Sequence, residues 1–213
     1  MAPFHIEEFM TGLTDGFIAL VSLWGYLSLK RRWPEPKLYE RLYLWFFAMM
    51  AVSCFCGWLL NHWFSWLFPP GDCNCLPNWL ANNLSLMCFA MAVVFRADAI
   101  RPLRCRRALI VAVVVETALT VVVTLLTMSW LWMVVHIGVC LLVFSLPLQI
   151  RLWKDGCRDE ARWAFIGTAV MALNPAVLIP DIGFSPEFNS YSISHLIITV
   201  GMLIFYRVGT CWR

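Results

Sequence analysis

The sequence predicts an all-α integral membrane protein of seven transmembrane helices, with the N-terminus outside and the C-terminus inside. Three observations carry this. Of 213 residues, 61% are hydrophobic and only 14% charged, where a soluble domain has about a quarter of its residues charged. The apolar residues gather into seven runs near the roughly 20 residues that a bilayer crossing needs. All 16 Lys and Arg fall in connections on one side of a chain with seven crossings. Such a composition excludes a cytosolic enzyme, a nucleic-acid binder and a disordered chain.

In chain order the spans are Phe9 to Leu29, Tyr43 to Phe68, Trp79 to Phe95, Ala108 to Thr127, Trp130 to Ile150, Trp163 to Pro180 and Ser194 to Val208. Only Met128 and Ser129 separate the fourth from the fifth. Their joint length of about forty residues is twice what one crossing needs, which makes them a tight helical hairpin. Pro147 and the pair Asn174-Pro175 are expected to kink spans five and six, because proline removes a helix hydrogen bond. With no repeat and no long extramembrane segment, residues 1–213 read as a single domain.

The charges then orient the spans. Lys30, Arg31, Arg32, Lys37 and Arg41 lie between spans one and two, and Arg96, Arg101, Arg104, Arg106 and Arg107 between three and four. Arg151, Lys154, Arg158 and Arg162 follow span five, and Arg207 and Arg213 close the chain. The opposite side carries Glu7, Glu8, Asp72, Asp181 and Glu187. The positive-inside rule places the basic side inside. An acidic opening, unlike a signal or transit peptide, predicts a first span that inserts without cleavage. Among the cysteines only Cys73 and Cys75 stand apart from apolar runs and basic connections. Their Cys-x-Cys spacing lacks a second pair, so they read as loop residues, with a local bond or metal role as the alternative.

Polar residues concentrate toward the acidic side. His62 ends span two, His136 lies two turns into span five, and His195 opens span seven. Asp15, Asn61, Asn82, Asn83, Asn189, Tyr191 and Ser194 sit at similar depth, the pattern of a polar pocket open to the outer face. Ionisable groups in hydrocarbon are costly and mark functional sites by default. Imidazoles are good zinc ligands, and His62, His195 and His136 form the metal-ligand set that the sequence suggests. Glu116 is the acid nearest mid-membrane. With no basic partner evident at its depth, it is read as a protonated group bonded to a hydroxyl, with proton or cation handling as the alternative.

Seven spans with a histidine ending the second and another opening the seventh resemble the superfamily of alkaline ceramidases and adiponectin and progestin receptors. The motif residues are Cys56-Gly57-Trp58-Leu59-Leu60-Asn61-His62, the stretch from Asn189 through His195 to Tyr206, and Thr14-Asp15-Gly16, which is similar to the first span of its small members. The resemblance implies zinc and lipid-amide hydrolysis. It also exposes departures: Tyr191 stands where hydrolytic members carry another histidine, Trp58 where they carry a serine, and Asn82 and Asn83 at the depth of their acid. Because a third ligand is missing, the first expectation is a non-catalytic family member without cofactor, a structural subunit contacting membrane lipids and other integral membrane subunits. The alternative is a zinc-dependent lipid amide hydrolase or metal-binding lipid receptor.

Overall fold

The computed structural model describes residues 6–63, 75–185 and 188–212. His5, Asp72, Cys73 and Glu187 lie outside the described residues. The elements are α1 (Ile6–Arg32), α2 (Leu38–Cys56) running into a first π segment (Gly57–Trp63), α3 (Leu76–Ile100) and α4 (Arg106–Thr127). Then come α5 (Leu131–Gly138), a second π segment (Val139–Ser145), α6 (Leu146–Lys154), α7 (Arg158–Leu178) and α8 (Ser190–Cys211). Because α2 and its π segment form one span, as do α5, the second π segment and α6, the described residues contain seven helices long and apolar enough to cross a membrane.

The helices outlast the apolar runs that predicted them. α1 carries Lys30, Arg31 and Arg32 in its last turn, and α3 continues past Phe95 to Ile100. Hydropathy marks where hydrocarbon ends, whereas backbone hydrogen bonding carries a helix on into the headgroup layer. The sixth span begins earlier and ends earlier than expected: α7 runs from Arg158 to Leu178, stopping ahead of Pro180. Residues 64–68 of the second expected span are outside the described set. The hairpin between α4 and α5 turns on Met128, which takes the left-handed conformation at φ 49° while its N–H bonds the carbonyl of Thr124.

The two prolines act differently. Pro147 sits in the first turn of α6, immediately after the second π segment. Its missing N–H cannot serve the carbonyl one turn back, and the wider π turns absorb that mismatch. Pro175 lies inside α7, which continues beyond it.

α1 packs against α2 and α8, α8 against α7, and α3 against α2, α4 and α6. At their centre Tyr43, Phe46, Phe47, Phe89 and Phe205 form a chain of ring contacts with centroids 4.9 to 6.2 Å apart. The hydroxyl of Tyr43 donates to the Phe205 carbonyl at 2.7 Å. Lipid tails are as apolar as leucine, so such packing and buried hydrogen bonds must hold helices together in place of a hydrophobic drive.

The end of the bundle where α1 finishes and α2 begins, here the basic end, contains a buried ion pair. Arg96 of α3 donates from Nε and Nη2 to Oε2 of Glu160 on α7, at 3.1 and 3.0 Å. Its guanidinium also lies 5.3 Å from the Tyr39 ring centre and 5.8 Å from that of Trp212. The sequence had counted Arg96 among loop charges; it is a helix residue tying α3 to α7. At the same end Arg151 donates to the carbonyls of Arg101 and Pro102, which joins the two basic connections.

Candidate functional site: two histidines around one aspartate

At the opposite, acidic end, Asp15 projects from the early turns of α1 and is buried. His62 comes from the first π segment and His195 from the start of α8. The Nε2 atom of His62 lies 3.7 Å from Oδ2 of Asp15, and Nε2 of His195 lies 3.5 Å from Oδ1. Two histidines from different helices thus face the two oxygens of one carboxylate.

Small residues make this approach possible. A Cβ on Gly57 would stand 2.5 Å from Asp15 Oδ2 and 2.7 Å from Asn78 Nδ2, so only glycine lets the aspartate lie against the first π segment. On α1, Gly12 and Gly16 bring Trp58 and the Cβ of His62 close to the helix backbone. Their spacing is the small-xxx-small pattern of close helix pairs. That Gly12-x-x-x-Gly16 signal, flanking Asp15, is legible in the sequence and was missed. Ser53 Oγ donates to the backbone and side-chain oxygens of Asn78, at 2.9 and 2.6 Å, and so anchors the start of α3 beside the site.

The hydrogen bonds at His195 define its proton. Thr14 Oγ1 donates to the carbonyls of Met10 and Thr11, so it can only accept from the ring. Nδ1 of His195 faces that oxygen at 3.2 Å and the Thr11 carbonyl at 3.3 Å. Both are acceptors, so Nδ1 carries a hydrogen and a neutral ring presents a bare lone pair at Nε2. That nitrogen lies 3.5 Å from a carboxylate oxygen of Asp15. Two acceptors facing each other in a buried space require a cation between them, either a proton or a metal.

The other expected pocket residues separate. Asn189 caps α8 through the Ser192 N–H and accepts from Thr11 Oγ1 at 3.4 Å, bordering the site. Ser194 points away to Asn174 Oδ1 at 2.5 Å. Asn82 and Asn83 are buried on α3, and Asn61 is half-buried. Tyr191 is 45% exposed and meets Trp130 edge-on at 6.5 Å between ring centres. It lies one turn before His195, yet its ring goes to the exposed surface of the bundle beside Trp130 rather than to Asp15.

His136 is also elsewhere, which corrects the ligand set His62, His195 and His136. It is fully buried, with Nδ1 at 2.7 and 3.0 Å from the Glu116 oxygens and Nε2 at 3.2 Å from the Asn83 carbonyl. The expectation that Glu116 lacks a basic partner is overturned by the same contact. Counting residues from the hairpin put the two at different depths, whereas their side chains meet between α4 and α5. Thr120 Oγ1 also donates to Glu116, at 3.2 Å. Of the Cys-x-Cys pair, Cys75 holds the N-cap position of α3.

Among the described residues the fold is all-helical with seven potential membrane crossings, compatible with a multi-pass integral membrane protein. More narrowly, residues 10–212 match the model of a family of unknown function, DUF6962, and the chain belongs to that family. No curated protein matches it.

Proposed function

We propose that this is a multi-pass membrane protein, N-terminus outside, whose outer-side Asp15, His62 and His195 hold a divalent metal of the zinc class. On this reading it acts on a lipid ester or amide, as its resemblance to the ceramidase and progestin receptor superfamily implies. The single observation that carries it is the bare Nε2 of His195 facing Asp15 at 3.5 Å. The sequence had favoured a non-catalytic subunit because a third ligand was missing. Asp15 offers that third donor, and two histidines with one carboxylate are a known catalytic zinc set.

The donor set fits such an ion in chemistry. The Nδ1 bonds to Thr11 and Thr14 hold the His195 ring in the tautomer that leaves Nε2 free, the usual service of a neighbouring carbonyl to a ligating histidine. Asp15 offsets half of a divalent charge. Bound metal of this class supplies a water acidified to a pKa of about 7. The three side chains come from three helices, so their approach depends on the α1, α2 and α8 packing that Gly12, Gly16 and Gly57 permit.

Purified wild-type protein is expected to hold zinc that is lost in Asp15→Asn, His62→Ala and His195→Ala, with lipid amidase or esterase activity lost in parallel. Zinc content unchanged in all three variants would overturn the assignment.

A second reading keeps the chain as a non-catalytic subunit among other integral membrane subunits. It is favoured by the Glu116 side chain, which is 21% exposed on a helix whose outer face is apolar, where an ionisable group is costly unless covered. Co-purification of a stoichiometric membrane partner, lost on Glu116→Trp, would support it.

A further inference from the structure

We infer a second metal site, separate from the first, formed by Glu116, His136 and Cys140 and suited to a thiophilic divalent ion such as zinc. Among the described residues this is the one trio of His, Cys or carboxylate groups whose donor atoms all lie within 4.8 Å of one another. The Cys140 sulfur is 3.8 Å from both ring nitrogens of His136, and Glu116 Oε2 is 2.7 Å from Nδ1. The three residues come from α4, α5 and the second π segment, so they converge from both arms of the hairpin. π segments often accompany functional sites, and each of the two here carries a proposed ligand, His62 in one and Cys140 in the other.

The surroundings match the needs of a ligating histidine. Nε2 can only donate to the Asn83 carbonyl, which directs Nδ1, and not Nε2, toward the carboxylate. A backbone carbonyl holding the far ring nitrogen is the arrangement that metal-bound histidines use to fix tautomer and orientation. Thr120 steadies Glu116 in the same way. The carboxamide of Asn83, wholly buried, has neither its oxygen nor its nitrogen hydrogen-bonded among the described residues. An uncommitted buried amide on the residue that grips His136 points to a missing polar neighbour, since such groups are costly to leave unpaired.

Charge does not oppose occupancy. Without metal, Glu116 and His136 share a single proton along the Oε2 to Nδ1 line, and Cys140 keeps its thiol hydrogen. A divalent ion would release both protons, leaving carboxylate, neutral imidazole and thiolate as ligands. Two negative ligands and one 2+ ion sum to zero, so the occupied site places no net charge in hydrocarbon. The first site, with one carboxylate, would keep a net positive charge.

The thiol also separates the two sites experimentally, because the proposed outer ligands include none. Full-length protein in nanodiscs, stripped with chelator, is titrated with cobalt(II) alone and read by thiolate-to-metal charge-transfer absorption, then with zinc in competition. The expected result is a saturable band in wild type and in His62→Ala/His195→Ala. It should vanish in Cys140→Ser, and zinc affinity should fall at least tenfold in Glu116→Gln and in His136→Gln. Thermal unfolding of each variant confirms that it is folded. Absence of the band in folded wild type, or its persistence in folded Cys140→Ser, overturns the second site. Loss of the band only in the His62 and His195 variants would also overturn it, by moving the metal to the outer group. A band that survives those variants, with no zinc at Asp15, leaves this inference standing and defeats the proposed function.

Discussion

Oδ2 of Asp15 lies so close to Gly57 that a single added methyl would stand 2.5 Å away, a separation no carbon and oxygen atom tolerate. The contact sets how near α1 comes to the first π segment, and with it the distance from Asp15 to His62. Gly57→Ala is therefore expected to push the carboxylate aside. Overpacking of this kind costs about 1–3 kcal/mol, and zinc retention should fall with it. Gly138→Ala is the control, since nothing lies within 4 Å of its Cβ position. Thermal unfolding and metal content of the two variants check the contrast, and equal behaviour would contradict it.

The buried pair of Arg96 and Glu160 should respond asymmetrically to substitution. Removing one partner leaves an uncompensated buried charge, so Glu160→Ala is expected to cost about 3–5 kcal/mol. Replacing both, as Arg96→Met with Glu160→Leu, should cost less than either single change. Detergent-melting temperatures of the three variants test the order.

Tyr43→Phe removes the one hydroxyl that bonds the Phe205 carbonyl while keeping the ring. A loss of about 0.5–1.5 kcal/mol is expected from the hydrogen bond alone. A drop several times larger would show that the bond also holds α8 in register.

Two cysteines at the basic end differ in environment. Cys105 is exposed, whereas burial, reinforced by Glu160, pushes the Cys157 thiol upward against the smaller opposing effect of Arg96. A raised pKa means less thiolate at neutral pH, and the thiolate is the nucleophile. Maleimide is expected to modify Cys105 faster than Cys157, with the gap narrowing as pH rises. Peptide mass mapping over time checks it.

Orientation is tested by single cysteines at positions 154 and 181 in a background lacking the native ones. Labelling from opposite faces of sealed vesicles is expected, with 181 outside. Labelling of both from one face would remove the seven-crossing topology.

The sequence made the crossings legible because a bilayer imposes a length and a composition on each of them. It also placed Asp15, His62 and His195 at one depth. Depth is a coordinate along the helix axis, whereas a site also needs the angle around it. That angle sent His136 to Glu116 instead of His62, while the direction of its own side chain took Tyr191, one turn before His195, to the exposed surface. The polarity of Arg96 was read as a topology signal, so its pairing with Glu160 across 64 residues stayed hidden. Gly12 and Gly16 carry their information in spacing and small size, not in any reactive group.

Trp33 and Trp212 stack at the basic end with ring centres 5.8 Å apart and planes 16° from parallel. Indoles that close and that nearly aligned share their excited states, so the chain contains its own optical reporter. Their coupled circular dichroism would follow the meeting of α1 with the end of α8 without any attached dye. Spreading of those two helices during transport through detergent, lipid or a ligand's arrival would then be seen as uncoupling of two chromophores.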